Sequence, residues 1–128
     1  MGAGSLSIWV HNIKNFEFIP QFNVQGYSGM AVRVGAGVES WEHFNHMARN
    51  NISVVAPGGE TVGAVGGWIS VGGHGGLTSK YGLGADQVLS INVVTADGSF
   101  LTVDPENHQD LWWALRGGGP SEYEPGRC

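Results

Sequence analysis

Nine of the twenty residues from 57 to 76 are glycine, and that density limits what the chain can fold into. Glycine loses more backbone entropy on ordering than any other residue, so such a run needs a physical reason. A flexible linker is one reason, but Val62, Val65, Trp68, Ile69 and Val71 are interleaved here, and linkers do not carry such residues. Two readings remain open. In one, the backbone lies flat against a ligand and its N–H groups form the binding surface. In the other, the glycines make tight turns between short strands of a β-rich domain.

Composition narrows the classes of partner. Only 13% of the 128 residues are charged, against about 25% in an ordinary soluble domain. The chain therefore reads as mostly buried, or as a piece whose faces expect company. A formal net charge of -5 with no basic cluster argues against nucleic acid, because nothing would neutralise the phosphates. No apolar run reaches the ~18 residues of a membrane span, so no membrane partner is expected. Residues 1–6 show neither a signal-peptide pattern nor a myristoylation pattern. The single cysteine, Cys128, permits no internal disulfide.

Taken in order, residues 6–10 (Leu-Ser-Ile-Trp-Val) read as a strand, and residues 12–20 as an ambiguous second extended segment. Turn chemistry at residues 26–29 precedes a strand at 30–34. Ser40 is the expected N-cap of a helix with Glu42 in its first turn. Trp41, Phe44, Met47 and Ala48 form its apolar stripe, which leaves Glu39, Glu42, His43, His46 and Asn50 on a solvated face. His43 and His46 stand one turn apart, but no further His or Cys cluster completes a ligand set, so no metal is expected. Residues 52–56 and 88–95 read as strands. Asp97-Gly98 then signals a hairpin into a strand at 100–103. Asp104-Pro105-Glu106 opens a second helix with Leu111, Trp112, Ala114 and Leu115 on its apolar face, and Arg116-Gly117 stops it. The expected fold class is α+β, mostly antiparallel strands with two or more short helices.

Familiar nucleotide and hydrolase motifs are absent. No window fits the dinucleotide fingerprint, the Walker loop or the nucleophile elbow. His74 is the one titratable side chain inside the glycine run apart from Glu60 at its start. As a general base it would need an acid partner that the sequence does not place; a hydrogen-bonded structural histidine is the commoner case.

Five ordered blocks carry a resemblance: residues 61–67 (Thr-Val-Gly-Ala-Val-Gly-Gly), 72–75 (Gly-Gly-His-Gly), 80–86 (Lys-Tyr-Gly-Leu-Gly-Ala-Asp), 93–98 (Val-Val-Thr-Ala-Asp-Gly) and 110–119, which runs from Asp110 through Trp112 and Arg116 to Gly119. Together they resemble the FAD-binding (PCMH-type) domain of the vanillyl-alcohol-oxidase flavoproteins, above all the berberine-bridge-enzyme-like oxidoreductases. Residues 32–38 resemble the strand and loop before that family's first helix. The resemblance spans residues 1–120. It implies a partial FAD-binding domain in which glycine-rich backbone lies along the cofactor. By carry-over, Thr61, Val62, Gly63, Gly66, Gly67, Gly72, Gly73 and His74 would line the flavin. The implied activity is hydride transfer from an alcohol, sugar or amine carbon to flavin and on to oxygen, with a small-molecule substrate. Asp86 and Arg116 are read as structural, with a buried ion pair between them as one arrangement.

Departures from the family pattern matter equally. The first flavin-binding block, with its covalently bonding histidine, does not occur in this sequence. Relatives with a second covalent link carry a cysteine just before the Thr-Val-Gly block, where this chain has Gly58-Gly59-Glu60; FAD, if bound, is expected to be non-covalent. Trp68 stands where some relatives place a histidine near the flavin ring. Residues 121–128 diverge, and the substrate domain that supplies the catalytic base is not represented, so no residue here is assigned as catalytic. The chain thus reads as an FAD-binding portion truncated at both ends and inactive alone. The alternative is a non-catalytic α+β interaction module that has lost flavin binding.

Overall fold

Two antiparallel hairpins, one near each end of the chain, bracket a helix and the glycine-rich run. The computed structural model describes residues 3–119, and the divergent tail at 121–128 lies outside them. The first hairpin pairs β1 (Phe16–Val24) with β2 (Tyr27–Val34) through a two-residue turn, Gln25-Gly26. The left-handed backbone falls on Gly26 (φ +82°), where glycine has no Cβ to clash. The register slips between Ile19 and Phe22, at Pro20, which has no N–H to give to a ladder.

Residues 6–10, expected as a strand, form none; Leu6, Ile8 and Trp9 lie exposed. The next segment, residues 10–15, is held instead by close backbone approach. Gly37 N–H donates to the Ile13 carbonyl (3.0 Å) and Gly35 N–H to the Asn15 carbonyl (2.8 Å). A Cβ at Gly37 would sit 2.2 Å from the Val10 oxygen, so no other residue fits there without displacing backbone.

Helix α1 (Ser40–Asn50) forms where it was expected, but its cap is Glu39 rather than Ser40. Glu42 reaches back to accept the Glu39 N–H (2.9 Å) and also receives Lys14 Nζ. That backbone donor, and then Lys14, hold the Glu42 carboxyl below the usual carboxylate range. The helix ends at Asn51 in left-handed conformation (φ 53°).

The inward face of α1 is not the expected one. Ser40, His43 and Met47, at i, i+3 and i+7, are buried, while Ala48 is exposed, with Trp41 at 49% and Phe44 at 47%. The expectation of a solvated His43 is therefore corrected. The physical reason is the helix's attachment: Ser40 is fixed to the glycine run, and the rotation this imposes turns His43 and Met47 inward. Phe16 at the start of β1 meets the His43 ring edge-on (5.7 Å) and stacks on His46 (4.4 Å).

Residues 52–56, expected as a strand, have none assigned, although Val55 and Ala56 are buried. Strand propensity is present there, but no ladder partner lies among the described residues. Beyond the glycine run, the expected strand at 88–95 contracts to β3 (Ile91–Val94), paired with β4 (Phe100–Val103). The expected Asp97-Gly98 turn joins them: Gly98 adopts φ +85°, and the Asp97 carboxylate accepts from Ser99 N–H (3.1 Å), Ser99 Oγ (2.9 Å) and Thr95 Oγ1.

The second expected helix begins later than the Asp104-Pro105-Glu106 pattern indicates. Asp104 is a turn-former: its carboxylate accepts from Glu106 N–H and Asn107 N–H, both at 2.8 Å, and from Asn107 Nδ2 at 3.0 Å. The helix proper, Gln109–Leu115, follows His108 at φ 54°. Ala114 is buried and Leu111, Trp112 and Leu115 half-buried, as expected, and Gly117 (φ +123°) lies just past its end. The buried apolar set is made of small residues for the most part, with Val38 and Val103 the most enclosed. Among the described residues no helix is long and apolar enough to cross a membrane. The architecture is α+β, two antiparallel pairs with short helices, as expected.

Candidate functional site

The glycine run is fixed to the rest of the molecule at a few points and exposed between them. Its first anchor is the opening turn of α1. Ser40 N–H and Ser40 Oγ both donate to the Val62 carbonyl (2.9 Å each), and Trp41 N–H donates to the Glu60 carbonyl (3.0 Å). In return Ala64 N–H donates to the Val38 carbonyl (3.1 Å), which completes an antiparallel bridge between Glu39 and Gly63. Because extended backbone alternates, the residue between two inward-bonded neighbours presents its own N–H and C=O to the other side. Gly63 is in that position, while Thr61 lies in the turn that Val62 N–H closes on the Gly59 carbonyl (3.2 Å); the amides of both donate to nothing among the described residues, and both residues are exposed.

After Ala64, which is buried, Gly66 turns the chain (φ +95°) into a short helix, Gly67–Ser70, hereafter α2. Trp68 on α2 packs back over the second half of the run. A Cβ at Gly73 would lie 3.0 Å from its ring, and one at Gly84 only 2.3 Å. Gly72 (φ +101°) and Gly73 (φ +77°) are buried, and their carbonyls accept from Ala85 N–H (3.0 Å) and Gly84 N–H (2.8 Å). Gly75 presses against residue 56, where a Cβ would stand 2.3 Å from the Ala56 oxygen. His74 is exposed; the Trp68 indole donates to its carbonyl (3.2 Å), while its imidazole has no hydrogen bond among the described residues.

The glycines thus separate by cause. Gly72, Gly73 and Gly75 are required by the fold itself, through left-handed backbone or close approach. Gly58, Gly67 and Gly76 are not: none has a positive φ, and a Cβ at any of them would meet nothing within 4 Å. Gly63 is similar, with only an ordinary 3.7 Å contact to Val65. Nothing among the described residues demands glycine at these four positions, and a side chain at Gly58, Gly67 or Gly76 would stand in open space. That is the arrangement expected of backbone reserved for close approach of another group.

Of the eight candidates, Thr61, Val62, Gly63, Gly66 and Gly67 lie on this exposed stretch, with His74 exposed further along. Gly72 and Gly73 are engaged behind Trp68. Ser40 and Gly58 belong to the same surface or its anchorage, and sequence reasoning did not single them out. Ser40 was read only as a helix cap, a role its residue type suits equally well.

The surface is open. Two clefts lie elsewhere, one bordered by His43, Met47, Ile52 and Leu77 and the other by Tyr27, Asp86, Trp112 and Arg116. In the second, the Arg116 guanidinium lies 3.4 Å over the Trp112 ring, and Nη1 donates to the Ala85 carbonyl (3.4 Å). Burial pushes Arg116 downward, and the charge of Asp86 opposes it. The two form no ion pair, because the Asp86 carboxylate accepts the Leu83 N–H instead (2.8 Å).

Three comparisons bear on this geometry. A family model described as FAD binding domain matches residues 6–104. The FAD-linked oxidoreductase ZEB1 of Gibberella zeae is 46% identical over 124 residues, covering 95% of this chain and 21% of that protein. The crystal structure of the VAO-type flavoprotein MtVAO615 from Myceliophthora thermophila C1 superposes with a TM-score of 0.89 at 45% identity, over 92% of this chain and 22% of that one. The structure of BBE-like #28 from Arabidopsis thaliana gives 0.67 at 31% identity, over 88% and 22%. The chain spans about a fifth of the length of most of the curated relatives it matches, with ZEB1 at 21% among them.

Proposed function

This chain belongs to the FAD binding domain family, and we propose that residues 58–67, bordered by Gly72, Gly73 and His74, lie along FAD as part of an FAD-linked oxidoreductase. The observation that supports the reading most directly is the set of glycines the fold does not require, set beside the amides of two exposed residues with no acceptor among the described residues. Backbone donors suit the phosphates and carbonyls of a flavin dinucleotide, and the missing side chains let it come close.

When bound, FAD would supply the hydride acceptor for an alcohol, sugar or amine carbon, with oxygen as the final acceptor. Within this stretch the residues bind and orient. Thr61 and Gly63 present donors, Gly66 sets the turn, and Trp68 stiffens the second half from behind. No side chain here is assigned a catalytic role; in this reading the groups that handle the small-molecule substrate belong to other parts of the oxidoreductase. Residues 1–120 act as the cofactor-binding portion. Gly58-Gly59-Glu60 offers no thiol, so we read attachment by this stretch as non-covalent.

The decisive experiment uses Gly63→Val. Position 63 has an ordinary φ and open surroundings, so valine there should leave the melting temperature within about 2 °C of the parent. Flavin affinity, followed by quenching of FAD fluorescence, should fall about tenfold or more. An unchanged affinity would remove this surface from the cofactor site and favour the interaction-module alternative. Gly73→Val is a poorer probe, since its positive φ and its contact with Trp68 make it a folding test as well.

A further inference from the structure

His43 is 5% exposed, and neither of its ring nitrogens has a hydrogen-bond partner. Buried polar atoms are nearly always satisfied, so an imidazole with both nitrogens orphaned calls for an explanation. Its place in the fold suggests one. His43 stands one helical turn beyond Ser40 on the inward face of α1, and the turn between them anchors the glycine run through Ser40 to Val62 and Trp41 to Glu60, with Ala64 bonding back to Val38 just before the helix.

We propose that His43 is an acid-sensitive latch: protonating its ring forces the first turn of α1 to lift, and residues 60–64 are released with it. A charged imidazole cannot remain where no acceptor meets it and no carboxylate faces it. To reach water it must carry the inward side of that turn away from Phe16, and the bonds to residues 60–64 go with the turn.

The surroundings offer the cation no refuge. From β1 His43 meets Phe16, and the cleft it lines is completed by Phe44, Met47, Ile52, Ser53, Val54 and Leu77, none of which ionises in this range. Glu17 on β1 is engaged with Arg33 at the surface, and Glu42 with Lys14 and the Glu39 amide. His46, one turn on, is the neighbour whose charge acts on His43 and disfavours its cation. Burial first, then His46, hold His43 below its ordinary value of 6.5. The closed form keeps the ring neutral and the open form takes up a proton below 6.5, so the latch holds above that pH and weakens as pH falls through it.

The test needs no flavin, so it stands apart from the binding experiment above; only the consequence for cofactor retention rests on that reading. Amide hydrogen exchange at Ser40, Trp41 and Ala64 is measured on the whole chain at pH 7.5 and 5.5 and corrected for intrinsic rates. Opening should be about tenfold more frequent at the lower pH, the ratio a ring of ordinary pKa contributes when only the open form is protonated. His43→Phe should abolish that response, and His46→Gln should retain it. Equal opening at both pH values, or a response that persists in His43→Phe, overturns the proposal. Should His43→Phe fail to fold, an NMR titration of the wild-type His43 ring decides independently: a midpoint at or above 6.5 overturns the latch, and one well below it supports it.

Discussion

A Cβ added at Gly84 would lie 2.3 Å from the Trp68 ring, whereas one at Gly76 would meet nothing within 4 Å. Gly84→Ala must push the indole or the backbone, and overpacking of that kind costs about 1–3 kcal/mol. Gly76→Ala removes only unfolded-state freedom and should be neutral or stabilising by about 0.4–1 kcal/mol. Urea unfolding of the two variants separates the cases, and equal effects would mean that Trp68 is not packed as described. This contrast also shows what could be read from residues alone. The density of glycine pointed to the right segment, but which glycines serve the fold and which serve a surface depended on Trp68 and Ala56, whose positions no local pattern encodes.

At the scale of elements, local chemistry was legible at two places where the partner lay close in sequence. The β3–β4 turn follows from Asp97-Gly98, and the end of the last helix from Arg116-Gly117. It failed where the partner was distant. The α1 stripe of Trp41, Phe44, Met47 and Ala48 is a real periodicity, yet three of its four members face outward because anchorage at residues 60–64 fixes the rotation. Residues 6–10 and 52–56 have strand-forming side chains and no ladder, since propensity names no partner. The helix at 109–115 was misplaced for a subtler reason: Asp104 and Pro105 suit a helix start and a turn equally, and Asn107 decides for the turn by donating to Asp104. That leaves His108 at φ 54° just before the helix, a conformation costing a non-glycine residue about 1–2 kcal/mol. His108→Gly should therefore stabilise the chain, by about 0.5 kcal/mol once glycine's extra entropy is set against the relief. Thermal unfolding would show it, and a loss of stability would mean that the His108 side chain supports the turn.

For the whole molecule, the question is what its apolar surface does in water. Leu6 is 87% exposed, Trp9 78% and Phe100 69%, and they come from the amino-terminal segment and from β4. Single exposed apolar residues are ordinary in soluble proteins, but several large ones on a chain with so few charges leave little to oppose association. Net charge of -5 gives only modest repulsion, and salt screens it further. The isolated chain should therefore self-associate as its concentration rises, and added salt should promote this. Sedimentation velocity over a range of concentrations would reveal it as a rising weight-average coefficient. A triple change, Leu6→Ser, Trp9→Ser and Phe100→Thr, should restore a monomer. None of the three residues belongs to the proposed flavin surface, so FAD affinity per folded chain should be unaltered. A parent that stays monodisperse at high concentration would show that these side chains are tolerated singly and form no adhesive face. If the triple variant lost flavin along with association, the binding surface would have to extend beyond residues 58–76, onto the amino-terminal segment or β4.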